Sequence, residues 1–294
     1  MIELPSEYIR EYYKEYYPDL QNMADDEIDS HYQLHGRDEG RVSSPAALRE
    51  KFVPIMPIDL PLLEIGPFCN PMIIGENVSY FDVLNGEALR QRAEYLKQTI
   101  VQVTEIDYVS DHGDLSIVDR EFDAVASSHC VEHQPDLVYH LKQVERILNE
   151  GGRHFLIVPD KRYCFDYSLP ESNLGEVLQS WHSSLRNHSL GSLIKYRALT
   201  THNVTSRHWA NDHYDEGWGG SVETKSTDAI REFVNSGGSY IDVHAWQFTP
   251  DTFRFIMRAL FDMGLVGLSV ERVYDTPWGR NEFTAVLRKT AIAC

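Results

Sequence analysis

Short apolar, β-branched runs, each closed by a glycine or a polar residue and most followed by a helical pattern, leave this chain few folds to choose from. Leu62-Leu63-Glu64-Ile65-Gly66 is the first run, and Val78-Ser79-Tyr80-Phe81-Asp82 the second. The third is residues 100–103 or residues 106–109, with Asp111 close behind. Residues 122–128 are the fourth and residues 154–159 the fifth. Each is short enough for a strand buried on both faces. Helical spacing lies between them. Residues 88–96 follow the second run. Residues 135–148 carry Leu137, Leu141, Val144 and Leu148 on one face, and Gly151-Gly152 reads as the stop. Strands alternating with helices predict an α/β fold: a Rossmann-like, doubly wound, mostly parallel sheet.

The rhythm breaks twice. Residues from about 160 to 245 are rich in His, Ser, Asn, Tyr and Trp and read as an insertion after strand five. Periodicity then returns in a helix over residues 250–263 with Thr249 as N-cap. Strands over 268–273 and 282–287 follow, which suits a sheet closed by a reversed final hairpin. Residues 1–50 are polar and aromatic, punctuated by Pro18 and Gly36, and predict a small helical N-terminal segment of two short helices. A linker is expected near Ser43-Ser44-Pro45, with the main domain over 51–294.

Composition excludes several classes. No run of about 18 apolar residues exists, so no transmembrane segment is expected. The first residues lack a basic stretch followed by an apolar one, which argues against a secretory signal. Cys69, Cys130, Cys164 and Cys294 are scattered without metal-ligand spacing and read as reduced thiols of a cytoplasmic protein. A formal net charge of −18 repels phosphate backbones and argues against general nucleic-acid binding.

Ligands of open α/β sheets bind beyond the carboxyl ends of the strands, where the acids and glycines of this chain fall. Gly66 permits a tight turn and close approach to a ligand, with Pro67 next in the loop. Glu64 can accept a hydrogen bond from a ligand ammonium group or a water. Asp82 can take both hydroxyls of a ribose. Asp111 and His112 stand where an adenine amino group wants an acceptor, and Ser128 and His129 close strand four.

These residues resemble the class I S-adenosylmethionine-dependent methyltransferases, in particular the methyltransferase-11-like branch. The matching segments run in order: LLEIGPFCNP, YFDVLNGEALRQRA, VSDHGDLS, FDAVASSHCVEH and PDLVYHLKQVERILNEGGRHFLIVPDKR. Phe68 and Asn70 stand where the family usually has further glycines. The resemblance covers residues 61–162 and 250–289. It implies a seven-stranded sheet with an antiparallel last strand and S-adenosyl-L-methionine as cofactor, held by Glu64, Gly66, Pro67, Asp82, Asp111, His112, Ser128 and His129. A nicotinamide-binding domain is the rival, but it expects a fuller G-x-G-x-x-G.

Methyl transfer to a hydroxyl needs alignment and a base. His133, Asp160 and His208 are the candidates for the acceptor side. The insertion segment from Arg207 to His213 combines His, Asp and Trp, which suits a sugar. The N-terminal pattern YPD…HY…HG…EGR resembles a module found beside enzymes of surface-polysaccharide biosynthesis. It implies association with glycan-assembly enzymes. The reading is O-methylation of a sugar or glycan precursor. A catalytically silent binding module of the same fold is one alternative. A metal-assisted sugar methyltransferase, with a cation at His208, Asp212 and His213, is another. That spacing is not a recognised ligand pattern, and no metal ligand is assigned.

Overall fold

The computed structural model describes residues 2–111 and 113–290; His112 and Cys294 lie outside the described residues. Ten α-helices are described: α1 (Arg10–Tyr16), α2 (Asp25–His31), α3 (Arg49–Phe52), α4 (Gly86–Tyr95), α5 (Leu137–Ile147), α6 (Leu174–His182), α7 (Leu190–Ile194), α8 (Thr205–Trp209), α9 (Val222–Asn235) and α10 (Pro250–Asp262). The strands are β1 (Leu62–Ile65), β2 (Val78–Asp82), β3 (Tyr108–Val109), β4 (Phe122–Ser128), β5 (Leu148–Pro159), β6 (Leu268–Tyr274) and β7 (Glu282–Lys289). They form one sheet in the order β3-β2-β1-β4-β5-β7-β6. The first five are parallel, and β7 runs antiparallel between β5 and β6. This is the expected doubly wound sheet with a reversed closing strand.

One sequence expectation needs correction, and two others are sharpened. Residues 100–103 do not form the third strand; Tyr108–Val109 does, paired with Phe81 and Asp82. Gly151-Gly152 does not stop α5. The helix ends at Ile147 because Leu148 already pairs with Phe122 as β5 begins. The stretch read as a linker is not exposed: Ser43, Ser44, Ala46 and Ala47 are all buried.

The two faces of the sheet are covered differently. Leu156 and Val158 of β5 face α5 and α10, packing with Leu141, Val144, Phe253 and Ile256. Their neighbours Phe155 and Ile157 point the other way, into a cluster with Leu4, Val42, Ala46, Phe52 and Met56. Residues that precede β1 therefore roof one face. Phe52 is fully buried, edge-on to Phe155 and Tyr274.

Thr249 caps α10 as expected, its side chain accepting from the Thr252 amide. The insertion consists of α6 to α9 and their connections. Trp209 at the end of α8 stacks on Tyr163 with centroids 3.8 Å apart. Gly40 packs so tightly against Trp209 and Trp278 that a Cβ there would collide with both, and its carbonyl accepts the Trp278 amide. No described helix is long and apolar enough to cross a membrane.

Phe52→Ala should destabilise the chain by about 3–5 kcal/mol. Urea denaturation checks this, and a loss below about 1 kcal/mol would mean that the roof contributes little to the core.

Candidate active site

Glu64 lies within β1 and is 1% exposed. A carboxylate taken so far from water needs donors. The Met72 amide donates to Oε1 at 2.8 Å and the Ile73 amide to Oε2 at 3.2 Å. Burial nevertheless pushes its pKa up from 4.5 to about 7. Gly66 follows at φ +71°, in the left-handed region that favours glycine. A Cβ there would enter open space, with Cys130 Sγ the nearest atom at 3.9 Å. The turn thus leaves a cradle over the end of β1.

Pro67 is buried, and Phe68 has a positive φ of 50°. Such strain clusters at ligand sites. The Phe68 amide donates to Asp82 Oδ2 at 3.2 Å, and the Val83 amide to Oδ1 at 2.7 Å. The β1 loop is thereby tied to the acid that ends β2. Burial raises the Asp82 pKa despite these bonds. Asp111 sits in an exposed turn after β3.

The end of β4 is held from far away in the chain. Arg49 of α3 donates to Ser128 Oγ at 2.8 Å and to Glu282 Oε2 at 2.9 Å. His129 Nε2 lies 2.8 Å from the same Glu282 oxygen. His129 also has a positive φ of 50°, and its side chain is 37% exposed. Arg49 and Glu282 carry no motif that could have revealed them in the sequence.

A turn over Val131–His133 follows. Glu132 is fully buried. His133 Nδ1 lies 2.9 Å from Asp242 Oδ1. Burial alone would lower the His133 pKa, but Asp242 and Glu132 outweigh it and raise the net value. His244 stands edge-on to His133 with centroids 4.6 Å apart.

Two expected acceptor-side residues are engaged elsewhere. Asp160 is fully buried; Arg162 donates to both of its oxygens, Nε to Oδ1 at 3.0 Å and Nη2 to Oδ2 at 2.6 Å, and Thr276 Oγ1 donates to Oδ2 at 2.7 Å. Its carboxylate holds a turn. His208 is buried, with Nε2 against the His202 carbonyl and Nδ1 against His213 Nδ1. Asp212 is clamped by Arg207 at 2.6 and 3.0 Å, so His208, Asp212 and His213 do not assemble a ligand set.

A seven-stranded sheet of this order, with an acid and a left-handed glycine at the end of β1 and a second acid at the end of β2, defines a class I methyltransferase fold. Residues 75–156, from before β2 into β5, match the family Methyltransf_11, a methyltransferase domain. Over those residues the chain is similar to a methyltransferase domain.

Solved structures share only a shallow likeness. The magnesium protoporphyrin IX methyltransferase ChlM of Synechocystis PCC 6803, with bound SAH, is 12% identical at a TM-score of 0.37. That alignment covers 91% of this chain and 100% of that one. A possible histamine N-methyltransferase of Thermotoga maritima is 16% identical at 0.30, covering 47% of this chain and 59% of that one. This chain thus spans just over half the length of the Thermotoga protein. A chain of the Haloferax volcanii complex between the Trm112 methyltransferase activator and the putative methyltransferase is 13% identical at 0.40, covering 88% and 96%. No curated protein matches significantly.

Glu64 makes the site's stability depend on pH. Its pKa is about 7 folded against 4.5 ordinarily, so the folded state binds more protons between those values. The stability it contributes is full below the lower value and is lost as pH rises through the upper one. The stability of the parent chain minus that of Glu64→Gln should therefore fall from pH 4.5 to pH 7. Urea melts at matched pH read this, and a constant difference would overturn the assignment.

Proposed function

We propose that the chain transfers a methyl group to a hydroxyl of a sugar or glycan precursor. One observation carries this reading. A cleft of about 550 Å³ opens between the insertion and the turn after β4. Asn173, Glu176, Gln179, Ser189 and Lys195 line it beside Trp246. Closely set donors and acceptors around an aromatic ring suit a polyhydroxylated acceptor. Pro135, His188 and Ala245 also line it, and Ala245 follows His244 in the chain.

When bound, S-adenosylmethionine supplies an electrophilic methyl carbon on a sulfonium. The residues proposed to hold it are Glu64, Gly66, Pro67, Asp82, Asp111, Ser128 and His129. Gly66 leaves space for the ligand over β1. Asp82 retains acceptor capacity beyond its two backbone bonds, enough for ribose hydroxyls. Asp111 serves the adenine side.

We assign the proton-accepting role to His129 rather than to His133, Asp160 or His208. His129 is half-exposed at the end of β4, and Glu282 orients its ring through Nε2. A carboxylate-oriented imidazole is a usual general base. A cytoplasmic setting and association with glycan-assembly enzymes belong to the same reading. The free thiols Cys69, Cys130 and Cys164 are compatible with the first, and the N-terminal pattern supports the second.

Calorimetry should find micromolar binding of S-adenosylhomocysteine to the parent chain and none to Gly66→Val or Asp82→Ala. Unchanged binding in both variants would sink the cofactor assignment. S-adenosylhomocysteine formation with a panel of nucleotide sugars and oligosaccharides tests the acceptor. On the accepted sugar, His129→Ala should lower kcat by about 10²–10⁴-fold at saturating cofactor. Turnover of non-hydroxyl acceptors alone would refute the oxygen as target.

A further inference from the structure

Glu132 stands apart from the other buried acids of this edge. It is fully buried, yet neither carboxylate oxygen has a hydrogen-bond partner among the described residues. Desolvation of such a group goes uncompensated unless something else binds it.

What faces it is imidazole. Oε1 lies 3.8 Å from His133 Nε2 and 3.9 Å from His244 Nε2. One ligand atom from each of Glu132, His133 and His244 falls within 4.8 Å of the others. The far nitrogen of each ring is backed by a carboxylate. His244 Nδ1 lies 2.6 Å from Asp166 Oδ2, and Asp166 is 1% exposed. His133 Nδ1 lies 2.9 Å from Asp242 Oδ1. The Asp166 bond fixes the His244 tautomer and turns its Nε2 lone pair forward, the usual support of a metal-bound histidine, whereas the Asp242 contact on His133 is an ion pair without hydrogen-bond geometry. The backbone joins the two halves: the Glu132 carbonyl accepts the amides of Ala245 at 2.8 Å and Trp246 at 3.2 Å.

We propose that Glu132, His133 and His244 bind one divalent first-row transition metal ion with a zinc-like ligand preference. Two imidazoles and a carboxylate suit such an ion better than magnesium or calcium, which take oxygen ligands. Metal–ligand bonds of about 2.1 Å put tetrahedral ligand atoms about 3.4 Å apart. The carboxylate oxygen would close on each imidazole by about 0.5 Å. Three protein ligands leave a position for a solvent or substrate oxygen. On the methyl-transfer reading, that oxygen is the acceptor hydroxyl; the metal site itself does not rest on that reading. It also differs from the trio in the insertion, because Asp212 is already paired with Arg207.

The test uses the full chain, stripped with chelator and titrated with cobalt(II) alone, without cofactor or acceptor. The expected result is saturation at one equivalent, with a ligand-field absorption band that zinc(II) bleaches. His244→Ala should abolish the band, and Glu132→Gln should weaken binding at least about tenfold. Asp212→Asn should leave binding unchanged. Circular dichroism checks each variant, and His133→Gln replaces any that does not fold. Absence of saturable one-equivalent binding by the parent chain overturns the proposal. So does parent-like binding by a folded His244→Ala, Glu132→Gln or His133→Gln variant. Because no methyl transfer is read, failure of the sugar assignment leaves this outcome untouched.

Discussion

The carboxyl edge of the sheet is organised by the cost of burying carboxylates. An acid near a ligand must be shielded from water and still be satisfied. Glu64 and Asp82 meet this with backbone amides, and those bonds set the course of the chain beyond β1. Asp160 uses Arg162 and Thr276, and Glu282 uses Arg49 and His129. Each pairing immobilises a different segment, so the edge is a set of fixed loops. Glu132 has only imidazoles around it, which is why it is the most informative acid of the group.

The segment before β1 takes part in both the core and this edge. Phe52 and Met56 roof the sheet, and Arg49, a few residues earlier, reaches Ser128 and Glu282. The same short helix α3 thus supplies packing on one side and a charge-assisted bond on the other. Tyr32 and Arg37 extend the attachment by bonding Asp275 beyond β6. Roof and edge are coupled through a few residues.

Much of the architecture was legible because buried parallel strands need continuous apolar runs, and β2 and β4 have the bounds that those runs suggest. The third strand was ambiguous for a physical reason. Residues 100–103 and 106–109 are similarly apolar, and only pairing with Phe81 and Asp82 distinguishes them. The placement of Glu64, Gly66 and Asp82 followed from strand ends. Arg49, Asp166, Asp242, His244 and Glu282 did not, because they reach the site from segments scattered over most of the chain. Asp160 looked chemically apt from its position after β5. Its commitment to Thr276 is a contact across more than a hundred residues that no local pattern announces.

Trp209 has one further consequence. Its ring lies flat on Tyr163, its indole N–H donates to the Arg280 carbonyl, and Gly40 closes against it from the N-terminal segment. The α8 end of the insertion is therefore riveted to three separate parts of the molecule. Helix α6 is anchored in the main core through Val177, Leu174 and Leu178, whereas α7 and α9 meet at the small Leu193–Ala229–Val243 cluster. The insertion is thus anchored twice, at Trp209 and at Val177, while α7 and α9 share a small core of their own, so that changes in that core reshape the insertion without disturbing the sheet.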